Sequence, residues 1–217
     1  MHAFIPTTIA TQKLAESFKI PRITLDDMVK LGKTQLNVSI DGADAVDPGL
    51  CLIEGGGGAL LCGKMVGIVF KKVHMHRGRD QLVQGPTALF SLPVGITKFC
   101  LEHTMRAATA LPELAGCLKG AVLRTGDCSN NVSKMGEAPA VIDNGNYIVD
   151  LHVKNPVTNA AKAAEAIKKV VGVVDHGIFD LVRADNHEDT HTHTHTHTHT
   201  HTEREKQACY HRRKTAG

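Results

Sequence analysis

Two aspartates and a run of glycines are the residues of this chain best suited to chemistry. Asp41 and Asp44 follow an apolar alternation that predicts a strand over residues 36–40. The run Gly55–Gly58 precedes an apolar segment, which predicts a helix opening at about Ala59, where free backbone N–H groups can meet an anion. Because ligands collect at the carboxyl ends of strands in open α/β sheets, these acids and amides should share one rim. Such a rim suits a polyhydroxylated, anionic small molecule.

The elements before and around these residues follow an α/β order. Thr7 or Thr8 can cap a helix that Ile20-Pro21 stops, and a further strand is predicted around Cys51–Ile53. The segment Val73–Gln84 is unusually polar for the returning strand expected there. The apolar stripes of the first helix and of the helix after the glycines comprise Ile9, Leu14, Ala15 and Phe18, and Leu60, Leu61, Met65, Val66 and Val69.

The pattern changes over residues 94–171 to a helix, two β segments and another helix. Asn144-Gly145 suits a tight turn between two strands. An alanine-rich helix is predicted over Asn159–Lys169, with Asn159 as its cap. Further strands are predicted near Val173 and Ile178.

Composition limits the classes of function. With 217 residues the chain can bury a core and make one or two domains. Its formal net charge is +3 and the charges of residues 1–183 nearly balance, which gives no case for binding nucleic acid or a membrane. No apolar run approaches the ~20 residues that span a bilayer, and the segment Met1–Phe4 gives no support for a secretory signal. The six cysteines lack metal-ligand or redox spacing, so we expect reduced thiols and a cytoplasmic location.

The Asp41-Gly42-Ala43-Asp44 stretch and the segment Gly55–Leu60 resemble motifs of the type A ribose-5-phosphate isomerases. The resemblance continues in order over roughly residues 5–182, through Leu92-Pro93-Val94, Phe99-Cys100, His103-Thr104, Asp143–Leu151, Gly172–Val174 and His176–Phe179. It implies a doubly wound, Rossmann-like α/β domain with an inserted small α+β domain. We therefore predict the main domain over 1–93 and 172–184, the small domain over 94–171, and a disordered tail over 185–217.

The same resemblance implies a function. Family members interconvert ribose 5-phosphate and ribulose 5-phosphate, a step of the non-oxidative pentose phosphate pathway, through an enediolate and without a metal or organic cofactor. As the retained catalytic residues, Asp41 and Asp44 would hydrogen-bond the sugar hydroxyls and assist proton movement at the substrate oxygens. The residues expected to bind the sugar phosphate are Asp41, Gly42, Ala43, Asp44, Glu54, Gly55, Gly56, Gly57 and Gly58. The expected assembly is a homodimer or a larger homo-oligomer.

Four departures from the family's pattern bear on activity. Gly63 stands where the family carries its general base, a glutamate, and Glu54 replaces a lysine that faces the developing oxyanion. Gln81 falls near a further family lysine, and the family's phosphate-holding loop would precede Met1. A positioned base contributes roughly 10²- to 10⁴-fold in rate and one electrostatic stabiliser about 10²- to 10³-fold, so we predict weak or absent isomerase activity. The alternatives are a non-catalytic, sugar-phosphate-binding pseudoenzyme and an incomplete gene product.

Other motifs carry weaker functional interpretations. The pattern Gly58-x-x-x-x-Gly63-Lys64 nearly spells a nucleotide phosphate loop, but Met65 stands where that motif needs Ser or Thr. The pair His74-x-His76 has no acidic or thiol partner at metal-ligand spacing. The Asp41/Asp44 pair alone would also suit Mg²⁺, and the neighbouring glycine run favours the sugar-phosphate interpretation. Glu54 is a poor substitute base because it precedes the glycines instead of lying on the helix beyond them.

The character of the chain changes after Asp185. Residues 190–202 alternate strictly between Thr and His. Such a tract can bind transition metals, can be a disordered tail, or can be a CA dinucleotide repeat translated in frame, and we favour the last. The basic cluster in Arg204–Lys214 is interleaved with acids and is expected to be a solvated tail, not a nucleic-acid signal.

Overall fold

A computed structural model describes residues 4–35, 37–46, 51–69, 73–76, 91–126 and 137–180 of the chain. Its first elements are α1 (Ile9–Ser17), α2 (Leu25–Lys30), β1 (Ser39–Gly42), β2 (Ala45–Val46), β3 (Cys51–Ile53), α3 (Leu61–Gly67) and β4 (Val73–His76). The later elements are β5 (Leu92–Ile96), α4 (Leu101–Thr109), the 3-10 helix Pro112–Leu114, β6 (Leu118–Leu123), β7 (Tyr147–Val153), α5 (Ala160–Lys169), β8 (Val173–His176) and β9 (Ile178–Asp180). The fold is therefore mixed α/β, as predicted.

Within these described ranges the strands form three sheets. β1 and β4 pair in parallel, with Asp41 opposite Met75. β3 lies between β2 and β9 and is antiparallel to both. The largest sheet has the strand order β6-β7-β5-β8, and all of its neighbouring strands are antiparallel.

The main core lies between the four-stranded sheet and α5. All five residues of the central strand β5 are buried, which its apolar sequence around Gly95 permits. On α5 the buried residues are Ala163 and Ile167, which are one helical turn apart and pack on the same core cluster as Leu151 of β7. Each fully buried aliphatic side chain of this kind contributes about 1.5–3 kcal/mol of transfer free energy. This core supports one side of the site described below.

Local signals in the sequence correctly located two caps and a turn. The side chain of Asn159 accepts a hydrogen bond from Lys162 N–H at 2.9 Å and so caps α5. Thr8 accepts one from Thr11 N–H at 3.0 Å and caps α1 in the same way. Gly145 has a φ of +81° and donates its N–H to Ile142 O at 2.8 Å, which confirms the predicted turn. These short-range signals work because donor and acceptor are close in the chain.

The apolar stripe predicted for α1 is mostly exposed. Ala15 is buried, but Leu14, Ile9 and Phe18 are each exposed by about half of their surface. On α3, similarly, Val66 is buried whereas Met65 is exposed. Helical periodicity identifies the apolar side of a helix, but it does not tell whether another element covers that side.

Both strands predicted near Val173 and Ile178 are present, as β8 and β9. β9 pairs with β3, but β8 pairs with β5 and belongs to the four-stranded sheet. The chain crosses between the two sheets at Gly177, whose N–H donates to Pro93 O at 2.8 Å and whose carbonyl accepts Glu54 N–H at 2.9 Å. The doubly wound arrangement and the domain boundaries stay predictions.

Element boundaries differ by a few residues from those predicted. The strand expected over 36–40 runs over Ser39–Gly42, and the helix after the glycines begins at Leu61 instead of Ala59. The returning strand expected in the polar segment is β4. Gln81, the His-Thr tract and the basic cluster lie outside the described residues. In the part of the chain that is described, no helix combines the length and the apolar character needed to cross a membrane.

Candidate active site

Of the two aspartates predicted to meet the glycine run, Asp44 contacts it directly. Gly56 N–H donates to Asp44 Oδ2 at 2.6 Å. The backbone N–H of Asp44 donates to Ile53 O at 2.8 Å, which holds the turn after β1 against the end of β3. A Cβ atom at position 56 would lie 2.8 Å from Asp44 Oδ2, so only glycine leaves room for this carboxylate. Asp41, Asp44, Glu54 and Gly55–Gly58 together are called the acid–glycine corner below.

Asp41 lies in β1 and faces helix α3. It is half-buried, and its Oδ1 atom accepts the N–H of Gly42 at 2.9 Å. A Cβ atom built at the buried Gly63 of α3 would lie 3.5 Å from Asp41 Oδ2, an ordinary van der Waals distance. A side chain at position 63 would therefore enter the acid–glycine corner beside Asp41.

Glu54 is a buried acid that follows β3, with only 4% of its surface exposed. Burial, together with the negative charges of Asp41 and Asp44, raises its pKa to about 9 against the opposing effect of the Lys64 ammonium group. Glu54 is therefore protonated at neutral pH and can donate a hydrogen bond. Burial also raises the pKa of Asp41 and of Asp44, although the N–H groups of Gly42 and Gly56 favour their ionised forms.

The glycine run is a turn with an exposed donor at its tip. Gly55 and Gly58 have φ angles of +102° and +86°, which glycine adopts without steric cost. Gly58 N–H donates to Gly55 O at 2.9 Å and closes the turn. Gly57 lies exposed at its tip, and no residue in the described ranges accepts its N–H. This amide is available to a ligand.

Two other predicted binding residues have different surroundings. Gly42 is exposed next to Asp41, at the end of β1. Ala43 is buried with Val46 and Leu52, so its methyl group serves packing. Only the backbone of Ala43 is left for contact with a ligand.

Arg124 holds the glycine run from behind and was not predicted. Its guanidinium group is fully buried and binds both carboxylate oxygens of Asp150, with Nε 2.8 Å and Nη2 2.5 Å from them. The remaining nitrogen, Nη1, donates to Gly56 O at 2.8 Å and to Gly55 O at 3.2 Å. These partners lie 26, 68 and 69 residues away in sequence, and the only available signal was a charged residue directly after the apolar strand β6.

A second unpredicted cluster fixes α3 to the turn between β8 and β9. Lys64 Nζ lies 2.9 Å from Asp175 Oδ1, also donates to the backbone carbonyl of His176, and sits 4.7 Å above the Phe179 ring. Burial lowers the pKa of Lys64, and burial lowers that of His176 to about 4, so His176 is neutral at pH 7. Burial is the largest influence on Asp175 and opposes its ionisation, but the charge and hydrogen bond of Lys64 and the N–H of His176 together outweigh burial and lower the pKa.

The same contacts argue against a nucleotide phosphate loop. In that motif the lysine reaches back over the glycines to the phosphates. Here the Lys64 amine is engaged by Asp175 and His176 on β8. In the described parts of the chain no three His, Cys, Asp or Glu side chains are grouped as a metal site would require.

A cavity of about 600 Å³ adjoins the glycine run. Gly57 and Gly58 line it together with Thr8, Lys13 and Asp143. The carboxylates of Asp41, Asp44 and Glu54 do not line this cavity, so it shares only the glycine face of the acid–glycine corner. The cationic residue Lys13 lines it, and the N-terminus of α1 on the same wall already donates Ile9 N–H to Asp143 Oδ2 at 2.7 Å.

Comparison with known sequences matches residues 3–186 to the family model of ribose 5-phosphate isomerase A (phosphoriboisomerase A). The probable ribose-5-phosphate isomerase 2 of Arabidopsis thaliana is 40% identical over 177 residues, which are 81% of this chain and 61% of the plant protein. The ribose-5-phosphate isomerase A of Nitrobacter hamburgensis is 34% identical over 81% of this chain and 69% of its own. The chain spans about three fifths of the length of the plant relatives that it matches.

Solved structures agree with the sequence matches. The ribose 5-phosphate isomerase from Plasmodium falciparum superposes with a TM-score of 0.70 at 31% identity, over 81% of this chain and 68% of the parasite chain. A D-ribose-5-phosphate isomerase in complex with phospho-erythronic acid superposes with a TM-score of 0.69 at 25% identity, over 82% and 69% of the two chains. Sequence, fold and the arrangement of the acids and glycines thus lead to one conclusion: the chain belongs to the ribose 5-phosphate isomerase A family.

Proposed function

We propose that this chain binds ribose 5-phosphate and ribulose 5-phosphate at the acid–glycine corner and interconverts them slowly or not at all. The observation that carries the proposal is the position of Gly63. A Cβ atom placed at Gly63 would lie 3.5 Å from Asp41 Oδ2. The acid–glycine corner therefore has space for a catalytic base at this position, but glycine supplies no side chain there. The groups that bind the sugar phosphate are retained in this proposal, and the base that would transfer the proton is missing.

Binding is supported by the mixture of donors and acceptors. The carboxyl oxygens of Asp41 and Asp44 accept hydrogen bonds from sugar hydroxyl groups, and the exposed Gly57 N–H donates to an anionic oxygen. The adjoining cavity, with Lys13 on its wall, has room for the phosphate end of a five-carbon chain. A relative whose structure contains phospho-erythronic acid, a phosphorylated four-carbon acid, supports this ligand class.

Slow chemistry follows from the protonation states of the corner. An aldose–ketose isomerisation needs a base that removes the proton from C2 and returns it to C1, while a proton moves from O2 to O1. Glu54 cannot be that base near pH 7 because it already carries a proton. It can donate a hydrogen bond to the developing oxyanion, but a neutral donor stabilises that charge less than a cation does. Loss of a positioned base alone costs roughly 10²- to 10⁴-fold in rate.

The remaining parts of the proposal concern fold and assembly. The parallel pairing of β1 with β4 supports a doubly wound main domain, with the small domain inserted over residues 94–171. The proposed assembly is a homo-oligomer, the proposed location is the cytoplasm, and the proposed pathway is the non-oxidative pentose phosphate pathway.

The test combines binding, turnover and restoration of the base. Calorimetric titration with ribose 5-phosphate and with phospho-erythronic acid should show binding, while turnover of ribose 5-phosphate stays far below that of an intact relative. Gly63→Glu should raise turnover by about 10²-fold or more, because it places a carboxylate beside Asp41. Gly67→Glu is the matched control, since it puts the same residue one turn further along α3, where a Cβ meets no atom within 4 Å, and it should change turnover little.

Four outcomes would decide between this proposal and its alternatives. Turnover by the unsubstituted chain equal to that of an intact relative would refute the loss of chemistry. Absence of binding to both ligands, by protein that unfolds cooperatively, would refute recognition. Absence of cooperative unfolding would favour the incomplete gene product, whereas binding that Gly63→Glu does not convert into turnover would favour a pseudoenzyme.

A further inference from the structure

The guanidinium group of Arg124 contacts two successive peptide groups of the glycine run. Nη1 lies 3.2 Å from Gly55 O and 2.8 Å from Gly56 O, while the other side of the guanidinium is bound to Asp150. Asp150 is itself buried in β7, and Ser91 Oγ donates to it at 3.4 Å. Arg124 is therefore fixed by β7 and in turn fixes the backbone of the glycine run.

The planarity of the peptide bond converts these contacts into an orientation. In a trans peptide the C=O of one residue and the N–H of the next point in opposite directions. Because Gly55 O points at Arg124, Gly56 N–H points away from it, and it indeed donates to Asp44 at 2.6 Å. Because Gly56 O also points at Arg124, Gly57 N–H points away as well, and it ends at the exposed tip of the turn.

We propose that Arg124 is a positioning residue for ligand binding, which holds the carbonyl groups of Gly55 and Gly56 so that Gly57 N–H faces the bound anion. The inference rests on the proposed function, because the anion is taken to be a sugar-phosphate oxygen. Arg124 is buried and does not touch the ligand. It acts through the backbone, and it keeps one amide oriented before the ligand arrives.

Arginine suits this role for a geometric reason. Its planar fork can bind a carboxylate with two nitrogens and still present a third nitrogen to other acceptors. A lysine at the same position has one nitrogen, which cannot contact Asp150 and both glycine carbonyls with the same geometry. Replacement of Arg124 by lysine would therefore keep the positive charge but lose the hydrogen bonds that orient the glycine turn.

The first experiment compares Arg124→Lys with Ile167→Val. Ile167 is fully buried in the core beside the sheet, so its shortening is a general destabilisation away from the glycine run. Hydrogen exchange is measured in the ligand-free proteins and corrected for the change in global stability of each variant. The exchange of the Gly56 amide should then be about tenfold or more faster than in wild type in Arg124→Lys, and unchanged in Ile167→Val. The Kd for ribose 5-phosphate should rise about tenfold in Arg124→Lys, which corresponds to a loss of about 1.4 kcal/mol of binding free energy. In Ile167→Val the Kd should rise less than twofold.

A second measurement uses the unsubstituted protein and stays informative if Arg124→Lys does not fold. In a titration with phospho-erythronic acid followed by NMR, the Gly57 amide proton should shift downfield more than those of the other glycines of the run. Shifts confined to Gly55 or Gly58, or unchanged Gly56 exchange and Kd in folded Arg124→Lys, would overturn the inference. If neither sugar phosphate nor phospho-erythronic acid binds, the proposed function fails, while the Gly56 exchange rates still decide the role of Arg124.

Discussion

Replacement of Glu54 by Gln removes a titrating group from the acid–glycine corner and retains its size. Burial raises the pKa of Glu54 to about 9, from 4.5 in an unperturbed glutamate. Between these two pH values the unfolded chain has lost this proton and the folded chain still holds it. Because the folded state then binds more protons, the free energy of unfolding must fall as the pH rises through this interval. The Glu54→Gln variant carries an amide with no proton to lose, so this part of the pH dependence should vanish.

The size of the effect follows from the same two values. A single group that is protonated in one state only contributes a slope of about 1.4 kcal/mol per pH unit. His176 works in the opposite direction, since its pKa is lowered from 6.5 to about 4 and it favours the folded state as the pH rises between those values. Above pH 6.5 this contribution is complete. From about pH 6.5 to 8.5, the stability of wild type should therefore fall by about 2–3 kcal/mol relative to Glu54→Gln.

The assay is urea unfolding followed by far-UV circular dichroism at three pH values across that window. Groups such as Lys64 titrate in both proteins, so their contributions cancel in the difference. Glu113→Gln, at an exposed residue of the 3-10 helix, is the matched control for removal of one carboxyl group. A stability difference between Glu54→Gln and wild type that stays constant within about 0.5 kcal/mol, near the error of the extrapolation, would refute the buried, protonated state of Glu54.

Two further predictions concern the framework of the site. A Cβ at position 177 would overlap Glu54 O and lie 2.6 Å from Pro93 Cγ, so Gly177→Ala should destabilise by about 1–3 kcal/mol in urea unfolding. Gly120→Ala is the control, because a Cβ there meets no atom within 4 Å, and it should change the free energy of unfolding by less than about 0.5 kcal/mol. An equally small effect of Gly177→Ala would refute the close approach of the chain at Gly177. Asn159→Ala should cost about 1 kcal/mol, read from the same unfolding midpoints, because Lys162 N–H loses its cap. Asn159→Ser should recover most of that loss, and a neutral Asn159→Ala would show that the cap contributes nothing.

The sequence allowed prediction of features whose partners are close along the chain or belong to a recurrent motif. The Asn159 cap and the Gly145 turn depend on residues at most three positions apart. The contact between Asp44 and the glycine run, twelve residues apart at Gly56, followed from the family motif and from the rule that ligands meet strand ends. In these cases both residues of the contact lie within one short stretch of sequence.

Prediction failed where the partner lies far away or is another element. Lys64 meets Asp175 across 111 residues, and Arg124 meets the glycine run across 68, so neither stretch of sequence shows that its charge will be paired. Their burial is possible because each cation has a carboxylate partner, which removes the large cost of an unpaired charge. The exposed apolar side of α1 is the converse case, since the pattern of Leu14 and Phe18 does not reveal what covers them.

The crossing at Gly177 has a consequence for how such a site can change over time. Glu54 N–H, Gly177 and Pro93 O are joined through main-chain atoms, which every amino acid except proline supplies at position 54. A substitution of Glu54 by any residue except proline can therefore change the side chain in the acid–glycine corner while these main-chain hydrogen bonds stay in place. The main chain preserves the framework at this position, and the side chain determines its protonation chemistry.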